Sequence, residues 1–286
     1  RPGGAVTATL ALLETIHAAD LEAVRAVGNV LPDVARAAEE VAARLEVGGR
    51  WINVGAGTSG RLGVLDASEL PPTFGVPPAL VTGRIAGGRA ALVDAVEGAE
   101  DDEAAGAADL RAERLGPKDV VLGIAASGAT PYVAGALGAA KEAGALAIAL
   151  VCAPGSRIAA LADLAIVVDT GPEVLRGSTR LKAGTAQKLV LNMLSTAVFA
   201  RLGLVWRGEM VAMRPTNAKL RQRAVDILRR TLGVAEEEAR SLLSETGWLL
   251  PAALVAARWR VSPARASEWI AACRGNVARA LEEEPS

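Results

Sequence analysis

Residues 52–69, INVGAGTSGRLGVLDASE, contain a glycine loop directly after a short apolar segment. Gly55, Gly57 and Gly60 match the pattern G-x-G-x-x-G, which cradles the pyrophosphate in dinucleotide-binding proteins. A dinucleotide site also needs a carboxylate about 20 residues later, but the next predicted strand is followed by Arg84 and no acid. Arg84 suits a 2′-phosphate, so a dinucleotide stays open as the weaker alternative. A P-loop is excluded because no Gly-Lys-Ser/Thr follows.

A second loop of the same kind follows the third predicted strand, in DVVLGIAASGATPYV. It places Ser127, Gly128 and Thr130 where a strand ends and a helix begins. Backbone amides and hydroxyls at a helix N-terminus bind phosphate, and ligands of parallel sheets lie at the carboxyl ends of the strands. Each loop alone can also be a plain turn, with Ser or Thr as a helix cap. Two such loops on one sheet favour a phosphosugar site.

A third polar segment, GPEVLRGSTRLKAGTAQK at residues 171–188, precedes a long apolar helix. It combines the carboxylate of Glu173, the hydroxyls of Ser178 and Thr179, and the ammonium of Lys182. These groups can hold a phosphorylated sugar. The alternative is a solvated loop that caps the helix.

The elements that must position these loops are short apolar segments that alternate with helical ones. Strands are predicted at residues 51–55, 79–82, 119–125, 146–151 and 164–168. Their continuous apolarity indicates burial on both faces, and hence a parallel sheet covered by helices. The predicted fold is a three-layer αβα domain with a five-stranded parallel sheet at residues 48–210. N-terminal helices precede it at residues 1–47, and a small all-α module follows at residues 215–286.

Composition excludes several classes of function. The 286 residues carry a formal net charge of -1 without a lysine-rich stripe, so no nucleic-acid partner is expected. Because no apolar run of about 18 residues and no leader pattern is present, no membrane span is expected and a cytoplasmic location is predicted. The distant Cys152 and Cys273 and the single His17 argue against a His/Cys metal site. No metal and no cofactor is therefore expected.

The same loops resemble a known family. Their pattern is similar to that of the sugar isomerase (SIS) domain, which binds phosphosugars. More narrowly, four motifs resemble the N-acetylmuramic acid 6-phosphate etherase family: VGAGTSGRLGVLDASELPPTFG, AVEGAEDD, GIAASGATPYV and GPEVLRGSTRLKAGTAQKLVLNM. The similarity spans residues 51–217, and the helical tail resembles that family's C-terminal module more loosely.

The resemblance implies a lyase that removes D-lactate from the C3 ether of N-acetylmuramic acid 6-phosphate during cell-wall recycling. Elimination and then water addition would leave N-acetylglucosamine 6-phosphate, without metal or nucleotide, in a homodimer. Glu69 of DASELPP is implied to protonate the leaving oxygen, and Glu100 of EGAEDD to take the C2 proton. Spacing alone selects neither, because Glu69 lies roughly 15 Å along a helix from the first loop and Glu100 belongs to an acidic helix start.

The resemblance also implies which groups bind the substrate. Six residues of the two loops would hold the 6-phosphate: Gly57, Thr58, Ser59, Ser127, Gly128 and Thr130. Ser178, Thr179 and Lys182 would help to hold the sugar or the phosphate, and Glu173 would contact the reacting sugar. The chain departs from the family at Ala129, where members often carry arginine.

Two other functions stay open. A non-catalytic sugar-phosphate-binding regulator is the first, although the related regulators are longer and carry two SIS domains. A phosphosugar isomerase is the second, but such enzymes often use a histidine, and His17 lies in the N-terminal helix, where a surface or interface role is expected. The pair formed by Glu69 and Glu100 distinguishes the lyase from both.

Overall fold

The computed structural model of the chain describes residues 3–285. The strands in this range are β1 (Trp51–Gly55), β2 (Val81–Ile85), β3 (Val120–Ala125), β4 (Leu146–Val151) and β5 (Leu164–Val167). The helices are α1 (Gly3–Gly28), α2 (Leu31–Glu46), α3 (Gly57–Phe74), α4 (Glu103–Ala112), α5 (Pro131–Glu142), α6 (Arg157–Leu161), α7 (Lys182–Arg201), α8 (Ala218–Leu232), α9 (Glu236–Glu245), α10 (Leu250–Trp259), α11 (Pro263–Ala272) and α12 (Val277–Glu282). Two short 3₁₀ segments, Gly88–Leu92 and Ala99–Asp101, lie between β2 and α4. None of the helices described is long and apolar enough to cross a membrane.

The five strands form one parallel sheet in the order β2-β1-β3-β4-β5. Every residue of β1, β3 and β4 is buried, as continuous apolar segments require. Helix α5 packs on one face, because a side chain at Gly123 would meet Val133 and Leu137. Helix α3 packs on the other face, because a side chain at Gly63 would meet Asn53 and Ile124. The predicted three-layer fold is confirmed.

Strand β2 differs from its predicted range, residues 79–82. It pairs with β1 from Val81 opposite Trp51 to Ile85 opposite Gly55, so the prediction placed it too early. The strand lies at the edge of the sheet and is only half-buried between its two end residues. A strand at the edge of a sheet tolerates polar residues, so residues 82–84 belong to β2 although their sequence resembles that of a turn.

Helix α3 continues through Pro71 and Pro72 and ends at Phe74. The last turn is stabilised by Phe74, whose ring stacks on Phe199 with centroids 4.7 Å apart. Gly75 then ends the helix with φ +68°, and its N–H donates to the Pro71 carbonyl oxygen.

The chain divides into two compact units. The first joins Ala79–Ser195 to the chain before Glu69, and it contains the sheet. The second joins Glu69–Pro78 to the chain from Thr196 onward. Its core is built by α8 to α12, with buried residues that include Val225, Leu228, Leu243, Leu254 and Leu281. The predicted all-α module is confirmed, whereas the three-part boundaries stay a prediction.

Candidate functional site

Two loops meet at one edge of the sheet because β1 and β3 are neighbours. Gly55, the last residue of β1, lies opposite Ile124 near the end of β3. Helix α3 begins two residues after β1, and α5 begins at Pro131, six residues after β3. The two loops therefore follow neighbouring strands at the same edge of the sheet, where α3 begins on one face and α5 on the other.

The glycines of the first loop are required by packing between strand and helix. A Cβ at Gly60 would lie 2.7 Å from the Gly55 carbonyl oxygen and 2.6 Å from the Ile85 side chain. Gly57 between them has φ +50°. The G-x-G-x-x-G spacing is thus explained by the backbone approach of α3 to β1, whichever ligand the loop binds.

The second loop has the same kind of constraint and an exposed hydroxyl. Gly128 has φ +64°, and a Cβ there would overlap the side chain of Ser156. Ser127 is exposed, and its Oγ accepts a hydrogen bond of 3.3 Å from the Ala129 N–H. Thr130 occupies the N-cap position of α5, but its side chain makes no capping hydrogen bond. The simple capping explanation therefore does not apply to Thr130.

Ser59 faces the protein interior on the first turn of α3. Its hydroxyl donates to Gln187 Oε1 of α7 over 2.9 Å. Ser59 is 8% exposed and Gln187 is fully buried, and the Nε2 of the same amide has no hydrogen-bond partner. Thr58 beside it is half-buried, and its methyl group faces the N-terminal part of α7 at Gly184.

Glu173 and Lys182 anchor the start of α7. The two carboxylate oxygens of Glu173 accept from the Lys182 N–H at 3.0 Å and the Ala183 N–H at 3.1 Å. The buried Lys182 ammonium lies 3.2 Å from Glu22 of α1 and 3.5 Å from the Pro172 carbonyl oxygen. Glu173 thus caps helix α7, as the alternative interpretation of this segment proposed, whereas the Lys182 ammonium is buried against α1 and the preceding loop.

Ser178 and Thr179 lie on the loop that leads into α7. Ser178 is half-buried and its N–H donates to the Leu175 carbonyl oxygen at 3.0 Å. Thr179 is exposed, and its carbonyl oxygen accepts from the Gly184 N–H at 3.1 Å. The Thr179 backbone is therefore fixed against α7, whereas the Ser178 backbone is fixed within the loop.

A cavity of about 180 Å³ joins the first loop to Glu100. Gly57 and Ala56 line one side, and Glu100 lines the other from its 3₁₀ segment. Arg61 also lines it and holds the intervening loop, because its guanidinium donates to the carbonyl oxygens of Leu92 at 3.2 Å and Asp94 at 3.1 Å. The structure therefore brings Glu100 and the glycine loop to one place.

Glu69 lies elsewhere on α3. It is exposed, ten residues after Ser59 on the same helix, and it belongs to the second compact unit. Glu69 is not among the residues that line the cavity beside Glu100.

A buried carboxyl on α3 was not found by sequence reasoning. Asp66 is 5% exposed, accepts a hydrogen bond of 3.1 Å from Ser195 of α7, and has a second oxygen without a partner. Burial raises the pKa of Asp66 to about 6, against the Ser195 hydrogen bond and the charge of Lys188. The sequence signal, a single acid on an amphipathic helix, is the same as that of any exposed acid.

The potential metal-ligating side chains of residues 3–285 are dispersed. No cluster of three or more His, Cys, Asp or Glu side chains that could hold a metal ion occurs there. Burial raises the pKa of the Cys152 thiol to about 12, so this cysteine lacks thiolate character.

Comparison with known proteins shows extensive similarity. The chain matches the family model of the glucokinase regulatory protein N-terminal SIS domain over residues 33–141 and that of the SIS domain over residues 100–197. N-acetylmuramic acid 6-phosphate etherases from Salmonella agona (strain SL483) and Salmonella typhimurium (strain LT2) are each 50% identical over 271 residues. Each match covers 95% of this chain and 91% of the relative.

Solved structures with the same fold are more distant in sequence. A phosphoheptose isomerase from Francisella tularensis superposes with a TM-score of 0.52 at 21% identity, over 68% of this chain and 98% of its own. An E. coli CFT073 protein in complex with A5P gives 0.51 at 18% identity, over 71% and 95%. These likenesses show the fold alone.

Proposed function

The chain belongs to the N-acetylmuramic acid 6-phosphate etherase family, and on that premise we propose that it is a carbon–oxygen lyase. It releases D-lactate from the C3 ether of N-acetylmuramic acid 6-phosphate and leaves N-acetylglucosamine 6-phosphate. This reaction serves the recycling of cell-wall amino sugars. The observation that carries the proposal is the cavity shared by Glu100 and the first glycine loop, in a chain with that family's sequence along 95% of its length.

The two loops at the ends of β1 and β3 would bind the 6-phosphate. Backbone amides at the starts of α3 and α5 present partial positive charge, and the hydroxyls of Ser59, Ser127 and Thr130 supply further donors. A phosphate monoester only accepts hydrogen bonds, so it suits a site built from donors. The contacts that fix Glu173 and Lys182 support a role of these two residues in shaping the wall near α7, beside Ser178 and Thr179.

Elimination precedes water addition in this proposal. In the open-chain sugar, the C1 aldehyde acidifies the C2 hydrogen because the electron pair left behind is delocalised into the carbonyl. Removal of that proton forms a C2–C3 double bond, the C3–O bond breaks, and the lactyl oxygen leaves with a proton from an acid. Water then bonds to C3 through its oxygen, while a proton returns to C2.

Glu100 is the proposed base and Glu69 the proposed proton donor. Glu100 takes the C2 proton, exchanges it with solvent after lactate has left, and protonates C2 once water has added. Glu69, as the acid, gives a proton to the leaving lactyl oxygen and regains one from the attacking water. The shared cavity supports the role of Glu100, whereas the role of Glu69 is supported by its position in the DASELPP motif.

We propose a homodimer in which the neighbouring subunit completes the site. Helix α1 carries five apolar side chains that are each at least 44% exposed, and Leu10, Leu13, Leu21 and Val24 lie on the face opposite to the fifth, Leu12. At 100° per residue these four share an arc of roughly 80° on one face of the helix, with the exposed His17 among them. An exposed apolar stripe of this kind supports an interface between copies.

The test combines lactate release with isotopes. Purified protein is incubated with N-acetylmuramic acid 6-phosphate in H₂¹⁸O and, separately, in D₂O. We expect ¹⁸O at C3 of the sugar and none in lactate, and deuterium at C2, because the C3–O bond breaks and C2 is protonated from solvent. Oxygen from water in lactate, or a product without deuterium, would contradict the elimination.

Two variants test the carboxyls. Glu69→Gln and Glu100→Gln are each expected to lower kcat by at least about a hundredfold, the usual contribution of a positioned acid or base. Asp101→Asn is the matched control, because Asp101 loses the same charge on the same 3₁₀ segment and does not line the cavity. Binding of the sugar phosphate without lactate release by the wild type would favour a regulator instead.

A further inference from the structure

The hydrogen bond between Ser59 and Gln187 points away from any ligand. Ser59 gives its hydroxyl hydrogen to Gln187 Oε1, so this hydrogen is not directed toward the loop. The Nε2 of Gln187, fully buried, has no hydrogen-bond partner at all. A buried amide donor without a partner costs free energy and is rare in folded proteins, so this arrangement is a disfavoured one.

A half-turn of the Gln187 amide reverses the direction of this bond. The oxygen and nitrogen of a carboxamide have nearly the same shape, so the turned amide fits the same space. Nε2 then donates to Ser59 Oγ and gains the partner that it lacks. The Ser59 hydroxyl hydrogen is released and can be donated to an acceptor in the loop.

We infer that Gln187 is a positioning residue: in the turned orientation its amide nitrogen donates to Ser59 Oγ and leaves the Ser59 hydroxyl hydrogen to donate to a bound phosphate. This inference rests on the proposed role of Ser59 in phosphate binding. A phosphate monoester has only acceptor oxygens, and a donor to a charged oxygen makes a stronger hydrogen bond than a donor to an amide oxygen. The phosphate therefore favours the turned arrangement.

The composition of the chain allows a direct measurement in the wild type. Gln187 and Gln222 are the two glutamines of the sequence, so ¹⁵N-glutamine labelling gives two side-chain amide groups in an NMR spectrum. Gln222 is the internal reference, since its Nε2 donates to Asp226 at 3.1 Å. We expect N-acetylglucosamine 6-phosphate to shift the Gln187 amide hydrogens, because the Ser59 oxygen to which Nε2 donates then also donates its own hydrogen to the phosphate, and to leave those of Gln222 in place. A saturated ligand complex with unchanged Gln187 resonances would overturn the inference.

A double-mutant cycle provides the second test. Gln187→Met keeps the length of the side chain without hydrogen bonds, and is expected to weaken product binding, measured by calorimetry, by about tenfold. In a Ser59→Ala background the same change is expected to have little further effect, because Gln187 acts through Ser59. Equal losses in both backgrounds would overturn the inference and indicate a general structural role. Ser195→Ala, on the same helix but bonded to Asp66, is the control and is expected to leave affinity unchanged.

The two proposals fail in different ways. If Ser59→Ala alone leaves product affinity unchanged, the role of Ser59 in phosphate binding is wrong. If Ser59→Ala weakens binding while Gln187→Met does not, only the positioning role of Gln187 is wrong. Should Gln187→Met fail to fold, the wild-type NMR measurement decides the matter alone.

Discussion

Asp66→Asn measures the cost of a buried charge in the sheet-containing unit. The carboxyl is 5% exposed, has one hydrogen bond, from Ser195, and has one oxygen without a partner. Desolvation raises its pKa from 3.8 to about 6, opposed by Ser195 and by the charge of Lys188. Since one pKa unit is worth about 1.36 kcal/mol, the change corresponds to roughly 3 kcal/mol.

Because folding raises the pKa of Asp66, the stability of the folded protein changes with pH in a defined direction. The folded protein binds this proton more tightly than the unfolded chain does. The resulting stability is complete below about pH 4 and is lost as the pH rises through about 6. Asparagine cannot ionise and still presents an oxygen to the Ser195 hydroxyl. The variant therefore does not lose this stability as the pH rises. The difference in free energy of unfolding between Asp66→Asn and wild type should therefore rise by about 2–3 kcal/mol from pH 4 to pH 7.5.

The assay must report on the correct unit. Trp51 is the one tryptophan of the first unit, and it is fully buried, whereas the other four lie beyond residue 196. Urea titration of fluorotryptophan-labelled protein, followed by ¹⁹F NMR of Trp51, gives the free energy of unfolding of that unit. Asp33→Asn on the exposed face of α2 is the control and should show no such rise. Parallel pH profiles of Asp66→Asn and wild type would refute the reasoning.

Three substitutions test the contact between α4 and α5, the second glycine loop and the exposed face of α1. Gly106→Ala would bring a methyl group onto the Tyr132 carbonyl oxygen, where α4 meets α5. It should therefore lower the free energy of unfolding by about 1–3 kcal/mol in urea titrations, and unchanged stability would contradict that contact. Gly128→Ala, at φ +64° against Ser156, should weaken calorimetric binding of N-acetylglucosamine 6-phosphate by at least about tenfold, and unaltered affinity would remove this loop from the phosphate site. Leu13→Glu on the exposed face of α1 should convert a dimer to a monomer in light scattering; a persisting dimer would place the interface elsewhere.

The strands that are fully buried could be predicted from the sequence, because their continuous apolar segments have one interpretation. β1, β3 and β4 are apolar at nearly every position, and their ranges were predicted to within one residue. β2 was misplaced because an edge strand tolerates the Thr-Gly-Arg that also marks a turn. Both glycine loops were found because a strand end, a glycine and a helix start are neighbours in the sequence.

The polar contacts between α3 and α7 could not be found in the same way. Gln187 and Ser59 are 128 residues apart, and only the packed helices bring them together. A single glutamine in an apolar helix indicates that a polar side chain is buried, but it does not indicate which residue that side chain contacts. The environment of Asp66 could not be predicted for the same reason, since its hydrogen-bond partner Ser195 lies on a helix from the other end of the domain.

The contact between Gly55 and Gly60 has a consequence for how glycine signatures diverge. Both residues are fixed by the way α3 crosses the end of β1, with no ligand involved. A parallel βαβ unit built this closely must keep the spacing even if its binding preference changes completely over evolution. The pattern is therefore inherited with the architecture, and what distinguishes a nucleotide-binding lineage from a sugar-phosphate lineage is recorded in the intervening residues and in the loop of the neighbouring strand.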